Sequence, residues 1–242
     1  MPVSMALVSK PRRSSSRTAA APAHTEIVDH YLETIFYIAN EGEVVRPGRI
    51  AEWLGVSAPT VSVTLRRLAD EGWIRVAGDR SVSLTRAGAK VAEDVVRGHR
   101  LAERWLVDVL GLDWATADVE AQRLAPGFSP EVVERLDESL GHPDTCPHGN
   151  VIPGRQAPYE RLIALADLGP GTPALIRRIS EVAEHDAPQL LRQLDALGLY
   201  PGVSVAVAEG DRGFEALSIH VGDGVLALGT EAARSLWVEP QA

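Results

Sequence analysis

The chain has 242 residues, 45% of them apolar and 24% charged, and its formal net charge at pH 7 is −9. This length allows two or three folded modules, and this composition is typical of chains that bury hydrophobic cores rather than of disordered chains. No apolar stretch reaches the roughly 18 residues of a membrane span, and no early apolar block resembles a signal peptide. A single cysteine, Cys146, excludes an intrachain disulfide. We therefore expect a cytoplasmic protein that has no membrane partner.

The first 23 residues differ in composition from the rest of the chain. Four basic side chains lie among Ser, Ala and Pro, and no acidic side chain is present. This pattern predicts a disordered basic arm at residues 1–23, which either contacts nucleic-acid phosphates or is a solvated tail. Because the whole chain is acidic, any contact with nucleic acid must be local.

Residues 24–90 have the pattern of a winged helix-turn-helix. Apolar residues that recur every three and four positions predict three helices, and Ser57 is suited to cap the third of them. Two β-prone runs around a Gly-containing turn predict the hairpin that forms the wing. The predicted helices span about residues 25–41, 47–54 and 58–70, and the predicted strands span residues 73–76 and 81–84.

The rest of the chain predicts two further modules, which makes the fold class α+β. The pattern predicts helices in residues 91–142. Residues 143–160 are rich in Pro, Gly and His and predict a linker or an ordered loop, and residues 161–242 alternate β-prone runs with turns. The last module is therefore expected to be a small β-barrel. Predicted helices span residues 86–110, 117–124, 130–140 and 187–197, and predicted strands span residues 174–176, 203–208, 216–221, 225–228 and 236–238.

The third predicted helix has the position of a recognition helix, which lies in a DNA major groove about 12 Å wide. Short side chains at its start allow close approach, hydroxyls suit phosphates, and arginines supply charge to the flanking backbone. The alternative is a helix-turn-helix that serves as a scaffold for protein binding. The candidate DNA-binding residues are Arg49, Ser57, Ala58, Pro59, Thr60, Ser62, Arg66 and Arg80.

Seven short motifs together resemble the DtxR/MntR (IdeR-like) family of metal-dependent transcriptional repressors. They are YLETI at 31–35, RIAE at 49–52, SAPTVS at 57–62, DRS at 79–81, HRLAE at 99–103, CPHGN at 146–150 and IPG at 152–154. The resemblance covers everything after the basic arm and gives the last module as an SH3-like (FeoA-like) domain. It implies a homodimer that binds a palindromic double-stranded DNA operator and represses iron or manganese homeostasis genes. It also implies that residues 91–142 bind metal and dimerise.

His99 and Glu103 are four residues apart on one predicted helix, so both side chains leave the same face and can converge on one ion. Imidazole and carboxylate ligands suit Fe(II) or Mn(II). The resemblance implies that this pair belongs to an ancillary-type metal site, to which the C-terminal module also contributes. The implied ligands of this site are His99, Glu103, Asp118, Glu181, Glu184 and His185.

The resemblance also implies that the family's main activating site is degraded in this sequence. Its four positions correspond to His30, Gln122, Ala125 and Pro126, and the last two offer no ligand atom. A divalent ion held by one imidazole and one neutral amide would be poorly neutralised. We therefore expect this site to be empty or strongly weakened.

Several hypotheses remain open at this level. The His99 site either still senses metal, or sensing has been lost and DNA binding is constitutive or set by another ligand. A non-DNA interaction protein, or an accessory to metal transport, is a further alternative that the negative charge favours. An enzyme is not expected, because phosphate loops, nucleophile elbows and H-E-x-x-H pairs are missing from the sequence. Cys146 and His148 lack a second ligand pair and are predicted to be a loop feature rather than a zinc site.

Overall fold

The computed structural model describes residues 25–212 and 215–241, so the predicted basic arm lies outside the described residues. The helices are α1 Glu26–Asn40, α2 Pro47–Leu54, α3 Ala58–Asp70, α4 Arg86–Asp108, α5 Trp114–Leu124, α6 Pro130–Ser139, α7 Glu181–Asp186, α8 Leu190–Ala196 and α9 Thr230–Ser235. The strands are β1 Ile74–Val76, β2 Val82–Leu84, β3 Ile163–Ala164, β4 Pro173–Ile179, β5 Ser204–Arg212, β6 Ala216–Val221, β7 Gly224–Gly229 and β8 Leu236–Pro240.

The first module is the predicted winged helix-turn-helix, and its local signals act as expected. Ser57 caps α3, because its Oγ accepts a hydrogen bond from the Thr60 backbone N–H at 3.3 Å. Gly55 ends α2 with φ +63°, a left-handed conformation that glycine adopts without strain. Strands β1 and β2 pair antiparallel as the wing. Buried apolar faces of the three helices enclose one core with the base of this hairpin.

The second module is helical. The long helix α4 leaves the wing and packs against α5 and α6. Helix α5 begins three residues before its predicted start, because Asp113 accepts a hydrogen bond from the Thr116 N–H at 2.9 Å and so caps it earlier. Its first residue, Trp114, is buried in the core of the C-terminal module. The helical and C-terminal modules are therefore joined by a shared side chain.

The C-terminal module contains a six-stranded antiparallel sheet with the strand order β3-β8-β4-β5-β6-β7. The helix predicted at residues 187–197 is present but shorter, as α8 at Leu190–Ala196. A separate short helix that was not predicted, α7 at Glu181–Asp186, precedes it, and Pro188, which has no N–H, lies between the two helices. Ser180 caps α7 directly after β4. This arrangement carries α7 back towards the first two modules.

The predicted linker, residues 143–160, is an ordered loop in its central part. Cys146, His148 and Asn150 are each 2% exposed or less, and Ile152 is fully buried. The Cys146 N–H donates to the Asn150 carbonyl at 2.9 Å and closes a tight turn. None of the described helices is long and apolar enough to cross a membrane.

Asp137 on α6 connects this loop to α4 and α6 of the helical module. Its carboxylate is 3% exposed and accepts hydrogen bonds from Arg97 at 2.9 Å, Arg155 at 2.5 Å and His142 at 2.9 Å. One buried anion thus connects three segments of the chain, and removal of its charge takes from Arg155 its carboxylate partner and from Arg97 one of two, the other being Glu134.

We expect Asp137→Asn to lower the thermal unfolding midpoint by about 5–10 °C. The matched control is Glu138→Gln, which breaks an exposed ion pair with Arg135 on the same helix. This control should shift the midpoint by about 2 °C or less. Equal shifts in the two variants, measured by calorimetry, would contradict the anchoring role of Asp137.

Candidate metal centre and DNA-reading face

A cavity of about 260 Å³ lies where α1, α2, α4, α5 and α7 meet. All eight metal-site candidates predicted from the sequence line it, together with side chains that were not predicted. Its lining residues are His30, Glu33, Thr34, Tyr37, Trp53, Leu54, His99, Glu103, Asp118, Gln122, Glu181, Glu184 and His185.

The predicted half-site is present on one side of this cavity. The His99 Nε2 atom lies 3.4 Å from Glu103 Oε1 and 3.8 Å from Asp118 Oδ1. One ligand atom from each residue falls within 4.8 Å of the others, so the three can reach a common ion. The four-residue spacing on α4 and the position of α5 create this group.

A second donor cluster lies beside the first one and shares Glu103 with it. The His148 Nδ1 atom is 3.0 Å from Glu103 Oε1 and 3.9 Å from Cys146 Sγ, and all three residues are buried. The sequence analysis missed this cluster and treated Cys146 and His148 as a loop feature. The missing partner was Glu103, which is more than 40 residues upstream, so no local spacing could reveal it.

The loop that carries Cys146 and His148 is held against β4. The Ile179 N–H donates to the His148 carbonyl at 2.9 Å, and the Asn150 side-chain amide donates to the Ile179 carbonyl at 3.1 Å. Gly149 has φ +86°, and a Cβ at this position would overlap the Arg177 carbonyl. Glycine is therefore required for the loop to approach the strand.

Helix α7 brings two glutamates to the same place, with different surroundings. Glu184 Oε2 lies 3.9 Å from His148 Nδ1, while Glu184 Oε1 is buried and has no hydrogen-bond partner. Glu181 Oε1 accepts two hydrogen bonds from Arg100, at 2.6 and 3.1 Å, so this carboxylate is already paired. Glu184 is thus the α7 residue that faces the second cluster.

His185 does not join either cluster, although it lines the cavity. Its ring stacks on Trp53 of α2 with centroids 3.9 Å apart and an interplanar angle of 1°. The next residue, Asp186, binds Arg49 of α2 through two hydrogen bonds of 3.1 and 2.8 Å. This end of α7 therefore contacts the DNA-binding module rather than the candidate metal ligands.

Burial and charge pairing shift the protonation of the two clusters. Burial alone would lower the pKa of both imidazoles, but the nearby carboxylates have the larger combined effect. Glu103 raises the pKa of His99 well above its ordinary value, and Glu184 and Glu103 do the same for His148. Burial also opposes the charge of Glu103, yet the two histidines hold its pKa low. Burial raises the pKa of the Cys146 thiol to about 11. A cation that binds here must displace protons.

The residues at the expected degraded site surround a second cavity of about 760 Å³ beside α1 and α4, and all four of them line it. Among the residues that the structure describes, His30 does not share a metal-ligand group with two other His, Cys, Asp or Glu side chains whose ligand atoms lie within 4.8 Å of one another. The loss of this site remains a prediction. The four residues are His30, Gln122, Ala125 and Pro126.

The candidate DNA-reading face combines the solvent side of α3 with the wing. Seven of the eight predicted contact residues are exposed, including Arg66 on α3 and Arg80 at the wing turn, where φ is +65°. Arg49 is the exception. Its guanidinium is paired with Asp186 and with Glu43 at 3.3 Å, so a phosphate contact requires it to leave these carboxylates.

Comparisons with known proteins agree with this architecture. Residues 24–82 match the family model described as the iron dependent repressor N-terminal DNA binding domain, and residues 85–154 match its metal binding and dimerisation domain. Residues 163–240 match the FeoA domain. These matches follow the order of the three modules along the chain.

Relatives that align with most of the chain point the same way. The iron-dependent repressor IdeR of Mycobacterium tuberculosis is 40% identical over 196 residues, which is 75% of this chain and 85% of that protein. The diphtheria toxin repressor of Corynebacterium diphtheriae is 36% identical and covers 71% of this chain and 80% of its own length. A solved structure titled manganese-dependent transcriptional repressor complex with manganese superposes with a TM-score of 0.79 at 32% identity, over 88% of this chain and all of that one.

These matches confirm the α+β fold and the resemblance, including the SH3-like last module. They also confirm that the chain is not an enzyme, because the family consists of transcriptional regulators. The chain belongs to the family of iron-dependent repressors, DNA-binding proteins with a metal-binding and dimerisation domain.

Proposed function

We propose that this chain is a homodimeric, cytoplasmic repressor that binds a palindromic operator when Fe(II) or Mn(II) occupies the centre around Glu103. The observation that carries the proposal is the pair of donor clusters sharing this one buried carboxylate. A cytoplasmic location follows from the function, since a repressor must reach chromosomal DNA. A dimer follows from operator symmetry, because two winged-helix modules whose α3 helices lie about 34 Å apart match successive major grooves.

The residues around the second cluster fit a divalent cation. Glu184 Oε1 and Glu181 Oε2 are buried carboxylate oxygens without hydrogen-bond partners, an arrangement that is costly unless a cation or proton neutralises them. The His148 Nε2 atom lies 3.3 Å from the Trp114 carbonyl. This contact suits an imidazole that donates through Nε2 and leaves Nδ1 free as a ligand.

Glu103, Cys146, His148 and Glu184 would hold one ion, and His99 and Asp118 would extend the centre with Glu103. A bound divalent ion supplies the positive charge that balances these carboxylates. The mixture of oxygen, imidazole and thiol donors suits Fe(II) and Mn(II), and the thiol favours the softer Fe(II).

Helix α7 links this centre to the DNA-binding module. Glu184 faces the second cluster, and Asp186, two residues later, holds Arg49 on α2. A second bridge joins Arg178 of β4 to Glu41 at the end of α1. An ordered α7 thus holds the DNA-binding module against the rest of the protomer. Metal binding at the centre stabilises this α7 and so favours the arrangement that fits the operator.

A second candidate is a repressor of the same fold that no longer senses metal. The observation that favours it is the residue set at the expected main site, where Ala125 and Pro126 offer no ligand. Calorimetric titration of Mn(II) and Fe(II) into the metal-free protein without oxygen separates the two. If the wild-type protein gives no saturable heat, metal sensing is lost and the first proposal is wrong.

Glu103→Gln should weaken Mn(II) binding more than either His99→Ala or His148→Ala, because Glu103 belongs to both clusters. We expect a loss of at least about 100-fold for Glu103→Gln, and residual binding in each histidine variant through the cluster that remains. The control is Glu120→Gln, which removes an exposed carboxylate from α5. Wild-type affinity in Glu103→Gln would rule out this centre.

Thr60→Ala combined with Arg66→Ala should weaken operator binding at least about 10-fold. The slope of log affinity against log salt should also fall by about 2 per dimer, since one phosphate contact is lost in each protomer. Arg234→Ala removes an exposed arginine from α9 in the C-terminal module and serves as control. An unchanged slope in the double variant, measured by fluorescence titration, would count against α3 as the DNA-binding element.

Arg49→Ala and Asp186→Ala should each weaken operator binding about 5-fold, and the double variant should be no worse than either one. The reason is that both variants remove the same ion pair between α2 and α7, so the second substitution has nothing further to break. The control is Glu231→Ala, which removes an exposed carboxylate from α9 in the C-terminal module, the module that also contains Asp186, and should have no effect. A loss in Arg49→Ala without any loss in Asp186→Ala would show instead that Arg49 contacts DNA directly, as the sequence predicted.

A further inference from the structure

An apolar side chain lies at the centre of the solvent face of α3. Val61, Leu65 and Leu68 form the buried stripe of this helix. At about 100° per residue, Val63 is roughly 160° around the helix from Val61 and points away from the core. It is 67% exposed, more than any other large hydrophobic residue in the described part of the chain.

Intramolecular packing does not explain a valine at this position. A β-branched residue is a weaker helix former than alanine, and an exposed one gains little from burial. Val63 is flanked one turn away by Pro59 and by Arg66 and Arg67, which are all exposed. The valine therefore lies within the surface that the proposed function presents to the major groove.

The hydroxyl groups on the same part of α3 are already engaged with the helix. The Ser62 hydroxyl donates to the Ala58 carbonyl at 2.9 Å, and the Thr64 hydroxyl donates to the Thr60 carbonyl at 3.1 Å. The hydroxyls of Ser57 and Thr60 are hydrogen-bonded to each other at 2.8 Å. The donor hydrogens of these hydroxyls are thus largely occupied, and apart from the remaining acceptor lone pairs this stretch offers apolar groups to base edges.

The major groove has one apolar group to match such a surface, the C5-methyl of thymine. We infer that Val63 is a specificity-determining residue that packs on a thymine methyl in each half-site of the operator. The inference rests on the proposed DNA-binding function. Valine has a single preferred side-chain rotamer in a helix, so its two methyl groups are held in place before DNA binds.

The experiment removes only the methyl group from the DNA. The full-length protein, with Mn(II) added, selects its operator from a random pool of 30-base-pair duplexes. Each thymine of the selected duplex is then replaced by deoxyuridine in symmetry-related pairs. At one pair of positions we expect about 4-fold weaker binding per half-site, and about 15-fold weaker binding for both, the usual effect of losing one buried methyl.

Val63→Ala provides the matching change in the protein. Alanine favours the helix, so the variant should fold, and it should bind the thymine and deoxyuridine duplexes equally well. Val225→Ala is the control, because it shortens a valine of similar exposure on β7 and should keep the full deoxyuridine penalty. Cytosine at the sensitive position should bind more weakly than 5-methylcytosine in the wild-type protein only.

Two outcomes would overturn the inference while leaving the DNA-binding function intact. One is a selected operator in which no deoxyuridine replacement changes the affinity. The other is a Val63→Ala variant that keeps the wild-type deoxyuridine penalty, since another residue would then contact the methyl. If no duplex is enriched at all, the proposed function fails, and the role of Val63 fails with it.

Discussion

The arrangement of the modules depends on one buried carboxylate, that of Glu103. An ionised group costs several kcal/mol to remove from water unless charges of opposite sign surround it. Two histidines meet this need here, His99 from the same helix and His148 from the loop before the C-terminal module. The loop that carries His148 is hydrogen-bonded to β4. The need of Glu103 on α4 for a positively charged neighbour therefore brings the helical and C-terminal modules together.

Helix α7 has only six residues, yet its side chains contact all three modules. Glu181 pairs with Arg100 of α4, whose guanidinium also lies 5.9 Å from the ring centroids of Phe36 and Tyr37 on α1. At the other end of the helix, Asp186 holds Arg49. The side chains of this one short helix therefore contact both the candidate metal centre and the DNA-binding module, which is the route that the proposed coupling between them requires.

The sequence predicted the fold best where the signals are local. Caps, periodic apolar residues and turn glycines placed α1, α2, α3 and the wing to within one or two residues. Helix α7 was missed, because six residues are too short for a periodic pattern and the signals at Ser180 and Pro188 were not recognised. The cluster of Cys146 and His148 was missed for a different reason: its third member, Glu103, is brought there only by packing of distant segments. Engagement of Arg49 by Asp186 is likewise a contact between modules, which spacing along the chain does not encode.

The net charge of −9 is compatible with DNA binding when the location of the charges is considered. At physiological salt, charges are screened beyond about 8 Å, so the acidic surface far from the operator has little effect on a docked complex. Part of the negative charge also lies inside the protein, at Glu103, where the side chains of His99 and His148 rather than solvent surround it. The DNA-reading face carries exposed arginines on α3 and on the wing. An acidic repressor can therefore gain phosphate contacts locally, while its low overall attraction to DNA suppresses binding at unrelated sequences and leaves discrimination to the side chains of α3.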